Sequence, residues 1–449
     1  MSLVIDLNDA GIRLADGANH HPVAPGFALL KDRSVEISGA KARASSRLHP
    51  RRTQVDFWYR LDTQPITNFE PLTRADLAAS QLGTLLEPVA KDQRAGMIVV
   101  PPFMSRTALG LLQGICQAVG FRITALIDAA TAATRQRYVD VVPLHLEIGL
   151  HCAWVAKLRQ TSSATTLEDV QILEGSGLLA LYDTWIRWFS SEFVRQSRFD
   201  PLHSATSEQA LFDALPEWLA TVTEAEQQTL VLDMQDNQYS IEVSQVDVVN
   251  VVFDHFQRIA DLSRAMLASG ETPVFQLRDE TAALPGLADL LVARVGGSYV
   301  ALPDEAMVDG VQARRSRIDE DATRVVRELP VEGEVAGLIT DDVPVHGVPT
   351  HILFGESAYS LTQAPLVIGN GGAPGLERYL ALDGGLAGVS GVHCELSVEG
   401  GQCLLVDRSR YGTFLNGSRI NGSAALRAGD TIRVGTPGQE LFLIREEHF

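Results

Sequence analysis

Apolar positions change their period once along the chain. Up to about residue 325, short β-rich runs alternate with stretches of helical period. Leu3-Val4-Ile5-Asp6-Leu7 is one such run, followed by the turn-like Asn8-Asp9-Ala10-Gly11. Met97-Ile98-Val99-Val100 is another, stopped by Pro101-Pro102. Ser105 then stands where an N-cap belongs, and apolar residues recur at i, i+3, i+4 and i+7 from Ala108 to Ala118. Tyr239-Ser240-Ile241-Glu242-Val243 predicts a strand leading into a long amphipathic helix, and Trp185, Trp188 and Phe189 share one helical face that reads as core. From His351 onward the helical period is gone. His351–Phe354, Leu366–Gly369, Val392–Val398 and Gln402–Asp407 are short alternating runs broken by Gly, Asn and Asp, the pattern of a sandwich. The expectation is an α/β domain over residues 1–327, a Gly-, Asp- and Pro-rich linker or a few edge strands over 328–349, and an all-β domain over 350–449.

Composition narrows this picture. A chain of 449 residues exceeds one ordinary core, and 45% hydrophobic residues describe a globular protein. The formal net charge of −19 speaks against phosphate-backbone binding, so nucleic acid is not an expected partner. Arg47-Leu48-His49-Pro50-Arg51-Arg52 is a local basic exception without stacking aromatics, read as a solvated loop or strand edge. No apolar run is long enough to cross a membrane and no basic leader precedes an apolar stretch, which makes a cytoplasmic protein the expectation. Cys116, Cys152, Cys394 and Cys403 lack metal or disulfide spacing, and His20-His21 lacks partners at ligand spacing; no metal site is expected.

The C-terminal runs carry ordered motifs. Leu366-Val367-Ile368-Gly369-Asn370 resembles the I-G-R loop of forkhead-associated domains, and Val389-Ser390-Gly391-Val392-His393 resembles their V-S-x-x-H. Asp407-Arg408-Ser409-Arg410-Tyr411-Gly412-Thr413-Phe414-Leu415-Asn416-Gly417 is similar to D-x-S-x-N-G-T-x-x-N-G, and Leu426–Gly435 to the closing L-x-x-G-D-x-I-x-x-G. The resemblance implies a β-sandwich whose loops hold phosphothreonine peptides through Asn370, Ser390, Gly391, Arg408, Arg410 and Tyr411, with His393, Gly412 and Thr413 holding loops together. Asn370 stands in the arginine's place and Tyr411 in the asparagine's. An arginine fork suits phosphate bidentately, so the substitutions leave a phosphate-independent protein contact as the alternative.

The front segment resembles the nucleotide-binding domain of the seventy-kilodalton heat-shock chaperones, in the actin-like ATPase superfamily. The resemblance lies in Val99-Val100-Pro101-Pro102-Phe103 with its helix, Ala118-Val119-Gly120-Phe121, Ile127–Ala133, and Leu302-Pro303-Asp304-Glu305-Ala306 through Ala313. It implies two lobes built on ribonuclease-H-like subdomains. The loops that would hold ATP depart from the family. Phosphate loops need glycines for close backbone approach, and carboxylates or hydroxyls for magnesium. The first phosphate loop, D-L-G-T-T-N in the chaperones, is Asp6-Leu7-Asn8-Asp9-Ala10-Gly11. The second, D-L-G-G-G-T, is Glu147-Ile148-Gly149-Leu150-His151-Cys152. The N-E-P-T-A-A glutamate falls on Ala129, with Asp128 as a displaced substitute, and Asp279-Glu280 replace the glycines of the adenosine loop.

A degenerate site follows. Asp6, Asn8, Asp9, Asp128, Glu147, Gly149, Asp279 and Glu280 would be the vestige of a nucleotide site that hydrolyses nothing, with ATP and magnesium disfavoured and no other cofactor implied. The functional expectation is a non-catalytic adaptor or scaffold: a pseudo-ATPase joined to a forkhead-associated module that docks protein partners, with phosphothreonine the form the resemblance implies. The alternative is an ATP-binding switch whose nucleotide state controls the C-terminal module.

Overall fold

The computed structural model describes residues 3–17, 19–222, 227–234, 237–335, 349–354, 357–371, 378–382, 388–399, 402–415, 418–420, 422–426, 430–435 and 439–444. The chain divides into two compact units, Met1–Ile339 and Thr340–Phe449.

The first unit is α/β. Its first sheet runs in the order Asn19–His20, Arg13–Asp16, Leu3–Asp6, Ala95–Val100, Arg122–Asp128, Val325–Val326. Leu3–Asp6 pairs antiparallel with Arg13–Asp16 on one side and parallel with Ala95–Val100 on the other. The second sheet repeats this arrangement: Glu328–Pro330, Ala164–Glu174, Cys152–Gln160, Val142–Ile148, Pro273–Arg278, Ser298–Leu302. Val142–Ile148 likewise turns back antiparallel into Cys152–Gln160 and runs parallel with Pro273–Arg278. The central strands are buried on both faces, which is why Leu-Val-Ile and Val-Phe-Gln-Leu runs replace strict alternation there.

Helices begin where the sequence places caps. The Ser105 hydroxyl accepts from the Ala108 amide at the start of Arg106–Ala118, and Thr73 with Asp76 forms a reciprocal capping box on Arg74–Leu85. Trp185 and Phe189 are fully buried on Leu178–Ser197, with the Trp185 indole donating to the Val248 carbonyl. The amphipathic helix expected after Tyr239–Val243 is two helices, Gln245–Val251 and Phe253–Ala265, broken at Val252.

Of residues 328–349, read as a linker or edge strands, those up to 335 are tied to the first unit. Glu328–Pro330 pairs with Ala164–Glu174, and Gly333–Val335 pairs with Gln136–Tyr138. Residues 336–348 of that stretch lie outside the described residues. The basic stretch is exposed from Leu48 to Arg51 and runs into the edge strand Thr53–Gln54, while Arg47 meets Asp183 at 2.5 Å and Glu208 at 3.3 Å, its guanidinium over the Phe212 ring. Cys394 and Cys403 are buried free thiols.

The second unit is all-β, two sheets with one core between them. One sheet contains His351–Phe354, Gln439–Ile444, Thr431–Val434 and Thr413–Leu415; the other contains Leu366–Gly369, Cys394–Glu399, Gln402–Asp407 and Ser423–Leu426. Inward residues of both, among them Ile352, Ile368, Leu396, Leu405, Ile432 and Leu441, form that core. Among the described residues, no helix is long and apolar enough to cross a membrane.

Candidate functional site

Two places gather the residues singled out in the sequence. The first is a loop cluster of the sandwich. Leu366–Gly369 delivers Asn370 beside Val389-Ser390, because the strand pairs with Cys394–Glu399 just after the Ser390 turn. Asn370 donates its side-chain amide to the Val389 carbonyl at 2.7 Å and its backbone N–H to the Ser390 carbonyl at 3.2 Å. Its side chain therefore ties two loops together instead of reaching outward. The buried imidazole of His393 accepts from the Ser390 backbone amide on Nδ1 at 3.1 Å, fixing that turn.

The third loop joins through Ser390, whose Oγ lies 3.4 Å from the Arg410 backbone nitrogen that donates to it. Asp407 Oδ1 accepts from the Ser409 amide and the Thr413 hydroxyl, and Ser409 Oγ accepts from the Gly412 amide at 2.7 Å. Gly412 has φ +98°, and a β-carbon there would run into the Arg419 guanidinium, so glycine is required. Arg408 leans back onto Glu395 at 3.4 Å, while Arg410 is exposed and Tyr411 is 68% exposed. Asn370, Ser390, Gly391, Arg410 and Tyr411 thus share one neighbourhood. Tyr379, which sequence reading passed over, closes it by donating its hydroxyl to the Gly391 carbonyl at 2.6 Å and accepting from the Gly371 amide. Asn416 and Gly417 lie outside the described residues.

The second place is a cleft of the first unit, where the two repeated sheets bring the ends of Leu3–Asp6 and Val142–Ile148 together. Asp6, Asn8, Asp9, Glu147, Gly149 and Arg278 line one hollow there, with Trp58, Tyr59, Phe103 and Trp154 among the other walls. Arg278 is its centre. The guanidinium is 2% exposed, with Nη1 2.9 Å from Asp6 Oδ2 and 2.7 Å from the Asp304 carbonyl. Nε and Nη2 reach Glu147 Oε1 and Oε2 at 3.1 and 3.2 Å. Asn8 donates to Glu147 Oε2 at 2.7 Å, so both oxygens of that carboxylate are engaged.

Burial alone would raise the Glu147 carboxyl; Arg278 and His145 override it and hold it near 2. Burial likewise works against the charge on Arg278, yet Glu147 and Asp6 leave it more firmly protonated than a free arginine. Asp9 turns to the second sheet, its Oδ1 accepting from the Leu150 amide at 2.8 Å. Burial raises the Asp9 carboxyl, opposed by the Leu150 amide and by His151. A β-carbon on Gly149 would sit 2.6 Å from Asp9 Oδ1, so the remaining glycine of that loop makes room for a carboxylate.

Three expected members stand apart. Asp128 is buried and caps Ala129–Ala133, with Oδ1 accepting from the Thr131 amide at 2.9 Å; it is not on the wall of the hollow. Asp279 is exposed at the start of a one-turn helix. Glu280 turns away to pair with Arg13 and accepts nothing from the hollow. Sequence reading passed over Arg278; the signal it offered was a charge at the end of an apolar strand, ahead of Asp279-Glu280, where burial demands partners. Among the described residues no three His, Cys, Asp or Glu side chains are set to hold a metal.

The second unit is thus an all-β sandwich in which three loops meet around Ser390 and the Arg410 backbone. The FHA domain family matches residues 368–435, and the second unit accordingly carries an FHA domain, a protein-interaction module. A comparison with curated proteins found no match for the chain.

Proposed function

We propose that the chain is a non-catalytic adaptor: a pseudo-ATPase of actin-like fold joined to an FHA domain that docks a partner protein. The fold reading is supported by the repeated sheet: in each half one strand pairs antiparallel with the next strand of the chain and parallel with a later one on its other side. The loss of catalysis is carried by one observation, the guanidinium of Arg278 lodged between Asp6 and Glu147. Those are the carboxylates of the two phosphate loops that the chaperone resemblance aligns. Magnesium would need their oxygens at about 2.0–2.1 Å, and the arginine already occupies them. Calorimetric titration of the full chain with ATP and magnesium is expected to give no heat of binding and no phosphate release. Micromolar binding with turnover overturns the reading.

For the FHA domain, the favoured ligand is a phosphothreonine peptide held by Ser390 and Arg410. Arg410 is supported as the phosphate partner because it is exposed beside Ser390, whereas Arg408 is paired with Glu395. Arg410→Ala is expected to weaken a phosphothreonine peptide about tenfold or more, by loss of a charge-assisted bond, with no change for a partner that binds without phosphate. Peptide-array binding before and after phosphatase treatment separates the two. Partners retained unchanged by a Ser390→Ala, Arg410→Ala double variant sink the phosphopeptide reading.

A further inference from the structure

The cleft that holds Arg278 is not filled by it. Beside the ion pair the hollow continues between aromatic walls. The Tyr59 and Phe103 rings stand edge-to-face with centroids 6.2 Å apart, and Phe103 and Trp154 do the same at 6.4 Å. Tyr59 is backed by His151, stacked at 5.4 Å, which fixes its ring. The charged residues on the wall are three carboxylates, Asp6, Asp9 and Glu147, and one guanidinium, Arg278, a formal surplus of two negative charges with every carboxylate ionised. Arg278 neutralises Asp6 and Glu147 only in part, and Asp9 has no arginine or lysine partner among the described residues.

Aromatic faces beside uncompensated carboxylates attract a weakly hydrated cation, through the ring quadrupoles and the local field. A hard inorganic ion is poorly served, since Asp6 and Glu147 already spend oxygens on Arg278 and Asp9 Oδ1 accepts from the Leu150 amide. From this we propose that the hollow walled by Tyr59, Phe103, Trp154 and Asp9 is a binding site for an alkylated ammonium head group. The head group comes either from a free small molecule or from a modified lysine side chain. The inference rests on the reading that nucleotide phosphate has no place in this cleft, and it gives the cleft a ligand of opposite charge. Burial raises the Asp9 carboxyl, and a cation bound beside it would favour the charged form and oppose that rise.

The test uses the full chain and four probes followed by tryptophan fluorescence and calorimetry: choline, its neutral tert-butyl isostere, a trimethyllysine peptide, and ATP with magnesium. Choline or the trimethyllysine peptide is expected to bind at least about tenfold more tightly than the neutral isostere. The tighter of the two identifies the source. Phe103→Leu keeps an apolar wall without the ring face, and Asp9→Asn keeps an acceptor for the Leu150 amide without the charge. Each is expected to weaken binding about tenfold with unchanged circular dichroism. Equal binding of choline and the isostere, or no binding of either cation, overturns the inference while leaving the adaptor reading intact. Binding of ATP with magnesium overturns the adaptor reading instead.

Discussion

At the scale of single residues, the buried charges of the first unit behave in opposite ways. Arg278 is indispensable to its neighbours. Replacing it with glutamine leaves Asp6 and Glu147 buried without a counter-charge, and the expected cost is about 3–5 kcal/mol of stability, read from urea unfolding. Glu147, held near 2, contributes stability that is complete above the ordinary glutamate range and lost as pH falls toward 2. Asp128 has the reverse sign. Burial pushes its carboxyl up to about 6, and its Oδ2 has no hydrogen-bond partner among the described residues. Between about pH 4 and 6 the native state therefore holds a proton that the unfolded chain releases. Stability falls as pH rises through that window, and the penalty is full above it. Asp128→Asn keeps the Oδ1 cap on Thr131 and removes the penalty. The variant is expected to be more stable at pH 7 by about 2–3 kcal/mol, with the gap closing near pH 4, measured by unfolding at both values.

Between elements, close backbone approach decides what may change. The helix Ala306–Arg314 packs on Ala129–Ala133 so tightly that a β-carbon on Gly310 would overlap the Ala132 carbonyl. Arg314 on the next turn donates to that carbonyl and to Thr134 at 3.0 Å, satisfying the orphan end of the shorter helix. Gly310→Ala raises intrinsic helix propensity by about 1 kcal/mol, yet it is expected to lower the melting temperature because the two helices must part. A rise would mean the contact is loose. This pair also shows what the sequence made legible. The strand and cap around Ser105 follow from period and capping residues, and they stand where expected; the helix at Ala306 carries no side-chain cap, and only the resemblance suggested it. The helix break at Val252 and the pairing of Gly333–Val335 with Gln136–Tyr138 follow from neither, since both depend on partners far along the chain. The candidate sites divide in the same way. Motif spacing located Asp6, Glu147, Ser390 and Arg410, but not that Asn370 would spend its amide on Val389 or that Arg278 would enter the cleft.

For the molecule as a whole, two units with separate cores predict two unfolding events. Calorimetry of the full chain is expected to resolve two transitions, and Arg278→Gln should lower only the one belonging to the α/β unit. A single transition shifted as one would show that the units unfold together. The same division leaves the adaptor reading with two independent ends, an FHA domain and a cleft whose chemistry is its own.

The guanidinium in that cleft has a consequence for timing. An arginine keeps its charge at every pH a cell reaches, and it is delivered by synthesis rather than by supply. Under the adaptor reading, a cleft bridged from within waits for no exchange factor and follows no adenylate energy charge. The α/β unit is then constant with respect to nucleotide, and the variable that decides when the chain engages is carried by what it binds.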